Sequence, residues 1–196
     1  MSTFEEALIN QCAPTLTGIK PASLFRFQAE SVAAVRDSAA HWNQKLAPLG
    51  LTVRILGEYA ASCACMIYVG RENWIRQLLR DDKISAFLKD RGYRISEDVN
   101  RMLEQLSDRF KREQEFPHEI GVFLGYPLED VVGFIEHRGR NDACCGCWKA
   151  YEHPERAERY FDCCRRCTAV CRELYRQGVP VPLLVALIEA PRSTKI

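Results

Sequence analysis

LTVRILGEYAASCACMIYV, residues 51–69, decides how the rest of the chain is read. The β-branched and alternating residues of LTVRIL (51–56) and CACMIYV (63–69) spell two strands. The connection from Gly57 to Ala61 is short enough for a hairpin, so the strands pair antiparallel. Upstream, SLFRF (23–27) offers a third strand. Between it and the hairpin, Val32, Val35, Ala39, Trp42 and Leu46 recur at helical spacing over 30–46, until Pro48 and Gly50 stop the run.

Outside this region the pattern is helical. Residues 3–11 read as a short helix ended by Cys12, Ala13 and Pro14, with Pro14 opening a new turn, PTLTGIK, because a helix start has no use for the N–H that proline lacks. Downstream, helices are predicted over 71–80, 82–90, 96–112, 118–125, 128–137 and 154–177, with a short apolar tail at 180–189. The expected fold class is therefore α+β: a small, mostly antiparallel sheet of about three strands in the N-terminal half, packed with a mainly helical C-terminal half. A chain of 196 residues is enough for one full core, so 1–196 reads as a single domain carrying a cysteine-rich loop and helix at 141–177. The loop from Gly139 to Cys147 is the segment expected to move most.

A formal charge of +1, with acidic and basic residues interleaved, gives no global field for non-specific nucleic-acid binding. MSTFEEALINQC has no basic n-region ahead of an apolar stretch, and no apolar run approaches the roughly 20 residues of a membrane span. A soluble, cytoplasmic protein without membrane partners is expected. Ten cysteines in a chain of this size fall below the roughly 8–10% of a disulfide scaffold, so free thiols, metal ligands or redox groups are the better reading.

Six of those cysteines lie in NDACCGCWKAYEHPERAERYFDCCRRC (141–167), and Cys171 follows. Cys144-x-x-Cys147, sixteen intervening residues and Cys164-x-x-Cys167 match the spacing of a four-thiolate site. Zinc, which takes four soft ligands in a tetrahedron, is the first expectation and an iron–sulfur cluster the second. Arg165 and Arg166 beside the second pair favour the thiolate that a metal or an electrophile requires. Against this stands placement: PERAERYFDCCRRCTAVCRELYRQG reads as one helix in which Ala157, Phe161, Cys164, Cys171 and Tyr175 share a stripe, with Tyr160, Cys167 and Leu174 beside it. Cysteine packs as a small hydrophobe, so these thiols also suit a core. Cys63 and Cys65 read as core thiols on one face of a strand, and His137 and His153 flank the cysteine stretch.

FPHEIGVFLGYPLEDVVGFIEHRG (116–139) invites comparison with a helix-turn-helix over 118–138: Gly125 lies at the turn, and Val131 and Ile135 fall inward. Its second helix carries Glu129, Asp130 and Glu136 against Arg138, and carboxylates are repelled by phosphates. Nucleic acid is thus a disfavoured partner and a packed helical hairpin the preferred reading; a protein partner stays open.

FPHEIGVFLGYPLEDVVGFIE, CAPTLTGIKPASLF near the start and the CWKAY after the cysteine run together resemble a bacterial family catalogued only as a domain of unknown function. The resemblance implies a shared full-length domain and a cytoplasmic bacterial origin, and it carries no mechanism. Cys12, His118 and Trp148 lie inside its signature blocks.

Three functional readings follow. The first is an accessory protein that binds a metal or redox centre through Cys144, Cys147, Cys164 and Cys167. The second is a thiol-dependent enzyme with Cys12 as nucleophile, activated by the amides and dipole of a turn starting at Pro14, His118 as base and Lys20 as an anion-binding or polarising group. The third is the DNA-binding regulator just described.

Overall fold

The structure, a computed structural model, describes residues 3–112 and 116–187. Residues 188–189 of the expected apolar tail lie outside the described residues.

Helix α1 (Phe4–Leu16) starts at a capping box: Thr3 Oγ1 accepts from the Glu6 amide at 3.1 Å, and the Glu6 carboxylate accepts from the Thr3 amide at 2.9 Å. It runs through Cys12 and Pro14, where the sequence suggested a stop. Pro14 deprives only the carbonyl of Asn10, a residue on the exposed side of the helix where water can serve instead. The helix ends two residues later at Leu16, capped by Thr17, whose amide and hydroxyl both donate to Ala13 O, at 3.0 and 2.9 Å, and Gly18 takes φ +76°.

The sheet has three antiparallel strands in the order β1 (Ala22–Gln28), β3 (Ala64–Arg71), β2 (Leu51–Tyr59). Central β3 is buried on both faces: Cys65, Ile67 and Val69 face one cluster and Tyr68 the other, which is why its sequence is an unbroken apolar run rather than an alternation. In β2 the register shifts between Ile55 and Gly57, leaving Leu56 as the extra residue. Leu51 and Val53 pack on the first face, and the bulged Leu56 turns to the second. Cys65 is fully buried on β3, whereas Cys63, expected on the same strand face, occupies a left-handed turn position at φ +47°.

Helices cover both faces. On the first lie α1, α2 (Val32–Leu46), the Cys171 end of α8 (Pro154–Arg176) and α9 (Val181–Leu187). On the second lie α3 (Glu72–Leu79), α4 (Asp82–Asp90), α5 (Val99–Arg112), α6 (Ile120–Phe123) and α7 (Leu128–Glu136). Two polar ties cross between layers: the buried Tyr68 hydroxyl donates to Phe123 O at 2.9 Å, and Arg71 donates to Thr15 O at 2.7 Å and Leu16 O at 2.6 Å. The second tie caps the negative end of α1 with a cation and so fixes the Thr17–Lys20 loop that follows. No helix among the described residues is long and apolar enough to cross a membrane.

The region expected to be a loop before α8 contains a small hairpin, β4 (Cys144–Cys145) with β5 (Lys149–Ala150). Two-residue strands lie below what periodicity can detect.

Candidate functional site

The β4–β5 hairpin and the first half of α8 enclose a third apolar cluster of Trp148, Ala150, Ala157 and Phe161, with Tyr126, Tyr160, Cys144 and Cys147 packed against it. The Trp148 ring lies edge-on to Phe161 with centroids 4.6 Å apart and stacks on Tyr126 at 5.1 Å. A Cβ on Gly146 would stand 2.2 Å from the Phe161 ring, so the hairpin turn approaches α8 only because that residue is glycine. From the other side the buried carboxylate of Asp130, in the first turn of α7, accepts from Trp148 Nε1 at 2.7 Å and from the amides of Tyr151 and Glu152. At Gly125 (φ +75°) the chain turns so close to Pro21 that a Cβ would stand 2.4 Å from it. That contact brings Tyr126 to the Thr17–Lys20 loop.

Three segments meet here. The Tyr126 hydroxyl donates to Cys147 O at 2.9 Å and accepts from Lys20 Nζ at 3.4 Å, while the ammonium also lies over the Tyr126 ring, 4.9 Å from its centroid. The Tyr160 hydroxyl donates to Ile19 O at 2.9 Å, tying α8 to the same loop. Cys147, on the hairpin, and Cys164, on α8, are free thiols whose ionisations are linked. The Cys164 donor, helped by the positive charges of Lys20 and Arg165, outweighs burial and holds the Cys147 thiol down to about 6, while Cys164 itself is pushed up and stays protonated. One turn further along α8, Cys167 is held down to about 7, chiefly by a hydrogen bond from Cys171, and its sulfur lies 3.1 Å from Thr17 Oγ1.

A family model described as "Protein of unknown function (DUF3793)" matches residues 8–185. The chain belongs to the DUF3793 family. No curated protein and no solved structure matches it.

Of the four cysteines singled out as zinc ligands, this DUF3793 chain brings Cys147 and Cys164 together. Cys144 Sγ instead points to Pro154 O at 3.7 Å, and Cys167 pairs with Cys171 and Thr17. Among the described residues no group of three or more His, Cys, Asp and Glu side chains is placed to hold a metal ion. Of the flanking histidines, His137 stacks on Tyr151 and His153 takes a left-handed cap position before α8.

Cys12 lies in the interior of α1, fully buried against the sheet, not at a helix start. Without free amides to favour a thiolate, burial dominates and pushes its pKa up to about 12. His118 is exposed and packs its ring between Phe116 and Phe134, so the two residues occupy different surroundings. In the 118–138 segment, α6 is a single turn with all four residues buried, and α7 lies under the cysteine hairpin, with Gly133 against the Tyr151 ring.

The residues that complete the thiol site and that cysteine spacing did not reveal are Lys20, Tyr126, Asp130 and Tyr160. A signal existed for three of them. Lys20 falls in CAPTLTGIKPASLF and both Tyr126 and Asp130 in FPHEIGVFLGYPLEDVVGFIE, while Cys147 and Trp148 begin CWKAY. These three stretches, distant in sequence, converge on this one site.

Proposed function

We propose that this chain is a dithiol redox protein in which Cys147 is the attacking thiolate and Cys164 the resolving thiol. What supports the reading is a pair of free thiols delivered by separate elements, Cys147 on the hairpin and Cys164 on α8, whose ionisations are linked so that one is lowered and the other raised, with Lys20 and Arg165 favouring charge on the first. A low-pKa thiolate beside a protonated partner is the arrangement that two-step thiol chemistry requires. A two-electron oxidant takes two electrons from the pair, Cys164 gives up its one proton, the Cys147–Cys164 S–S bond forms, and an external dithiol, itself oxidised to a disulfide, reverses it.

Mild oxidation of reduced protein with diamide, followed by peptide mapping, tests this. The expected product is a dithiothreitol-reversible Cys147–Cys164 disulfide that is lost in Cys147→Ser. An unchanged pair of thiols would overturn the reading. Elemental analysis of the same oxygen-protected preparation covers the zinc and iron–sulfur expectation: stoichiometric metal that shields these thiols would replace the redox role with a metal-binding one.

A further inference from the structure

The two outer edges of the sheet differ. Along β2, the Val53 amide donates to Asn43 Oδ1 of α2 at 2.8 Å and Leu56 O accepts from Ser107 of α5 at 2.9 Å, so the covering helices occupy that edge. Along β1, Pro21 O accepts from the Arg71 amide at 2.8 Å and the Ala29 amide donates to Cys63 O at 3.2 Å, which fixes the odd-numbered residues as those facing β3. In an antiparallel ladder the N–H and C=O of Leu24, Arg26 and Gln28 then point away from the sheet. Among the described residues none of these groups has a hydrogen-bond partner, and an unpaired edge is a template for another strand.

That edge opens into a groove of about 610 Å³, to which β1 contributes residues 25–28, α1 Asn10 and Gln11, and α8 Arg172. The devices that ordinarily blunt an edge are missing from it: β1 has no proline, and its register with β3 is unbroken from Ala22 to Gln28. Arg26 leans inward instead of standing over the edge, donating to Ser62 Oγ at 2.5 Å and lying over the Tyr59 ring, both at the β2–β3 connection. Arg172 Nε donates to Asn10 Oδ1 at 2.7 Å. The charged side chains of the groove are thus cations on neutral partners, and among the described residues no carboxylate lines it.

From the bare edge and this charge we infer that β1 docks an extended acidic segment of another protein, which joins the three-stranded sheet as a further strand. Backbone hydrogen bonds to Leu24, Arg26 and Gln28 supply the attachment. Phe25 and Phe27 face the first core, so Arg26 lies on the opposite face of the strand. Carboxylates of the segment meet Arg172 on the α1 face and Arg26 on the other, which selects acidic sequences. A second copy of this chain fits less well, because pairing β1 with β1 would bring further arginines and no carboxylate to the same groove. The inference is independent of the dithiol reading, since among the described residues no cysteine lines the groove.

The test titrates full-length protein into a labelled synthetic peptide of alternating valine and glutamate, about one strand long. It compares a version with glutamine in place of glutamate and one N-methylated throughout its backbone. The glutamate peptide is expected to bind, the glutamine version to bind roughly tenfold more weakly, the scale of one or two lost cross-strand charge pairs, and the N-methylated version not to saturate. Hydrogen exchange at the Leu24, Arg26 and Gln28 amides is expected to be fast in the free protein and to slow on binding. Gln28→Pro, which deletes an outward donor without costing the ladder a bond, is expected to weaken binding of the same peptide. Equal binding of the N-methylated peptide would show charge attraction without strand pairing, and equal binding of the glutamine version would remove the selection for acidic sequences; either overturns the inference, as does failure of the glutamate peptide to bind. So would protection of these amides in the protein alone that grows with its concentration, which would assign the edge to a second copy. The exchange measurement needs no variant and decides the pairing even if Gln28→Pro does not fold.

Discussion

Asp130 accepts the indole N–H of Trp148 through one carboxylate oxygen at 2.7 Å and the amides of Tyr151 and Glu152 through the other, at 2.7 and 3.1 Å. One buried side chain on α7 thus holds the whole β4–β5 hairpin, and with it Cys147. Asp130→Ala leaves three donors without their acceptor. Hydrogen bonds to a charged group contribute about 1.5–3 kcal/mol each and are not additive, so a loss of roughly 3 kcal/mol is expected in urea unfolding. A loss under about 1 kcal/mol would mean that water replaces the carboxylate, and that the hairpin is held by apolar packing instead.

Gly146→Ala should separate the packing of the site from its chemistry. The added methyl would meet the Phe161 ring at 2.2 Å, and Phe161 is wedged under Trp148 with no open side. Either the ring or the hairpin must move, at a cost of about 1–3 kcal/mol, and displacing the hairpin carries Cys147 away from Cys164. The expected signature is a lower urea midpoint together with a slower alkylation of Cys147 near neutral pH. Unchanged alkylation would show that the thiol contact survives repacking.

The sheet and its flanking helices were legible because each element's periodicity is local: alternation in LTVRIL, the buried run in CACMIYV and the cysteine-bearing stripe of α8 all correspond to observed faces. The end of α1 was not, because whether Pro14 breaks a helix depends on what its preceding turn faces, and Asn10 faces solvent. The site was half legible. Cysteine spacing singled out Cys147 and Cys164, but the same rule grouped them with Cys144 and Cys167, whose sulfurs have other partners. Lys20 and Tyr126 join the cysteines only through the close contact of Gly125 with Pro21, a long-range fact that no spacing rule contains.

Cysteine reactivity should rank by environment. Iodoacetamide labelling of wild-type protein against pH is expected to show Cys147 reacting as a thiolate from about pH 6 upward, as its pKa implies, and fully buried Cys12, pushed up to about 12, reacting far more slowly. Cys164→Ala removes the largest influence holding the Cys147 thiol down, so its labelling curve should move toward the ordinary value of 9.0. A curve that stays in place would assign the thiolate to Lys20 and Arg165 instead.

The same thiolate couples stability to pH. Cys147 titrates near 6 when folded against an ordinary 9.0, so between these values the unfolded chain binds the extra proton and folding is favoured as pH rises. The contribution is complete above about pH 9 and is lost as pH falls through about 6. Cys164, pushed the other way, remains a thiol in the fold after the unfolded chain would ionise it, and so subtracts above its ordinary 9.0. In Cys147→Ser the first effect disappears, and the second weakens because no neighbouring thiolate holds the Cys164 proton. Under reducing conditions the difference in urea midpoint between wild type and Cys147→Ser is therefore expected to widen from pH 6 to 9 and to stop widening above it. Cys12, whose raised pKa is common to both proteins, does not enter the difference. A difference independent of pH would show that Cys147 remains protonated in the fold, and Cys164 would then have no charged sulfur to donate to.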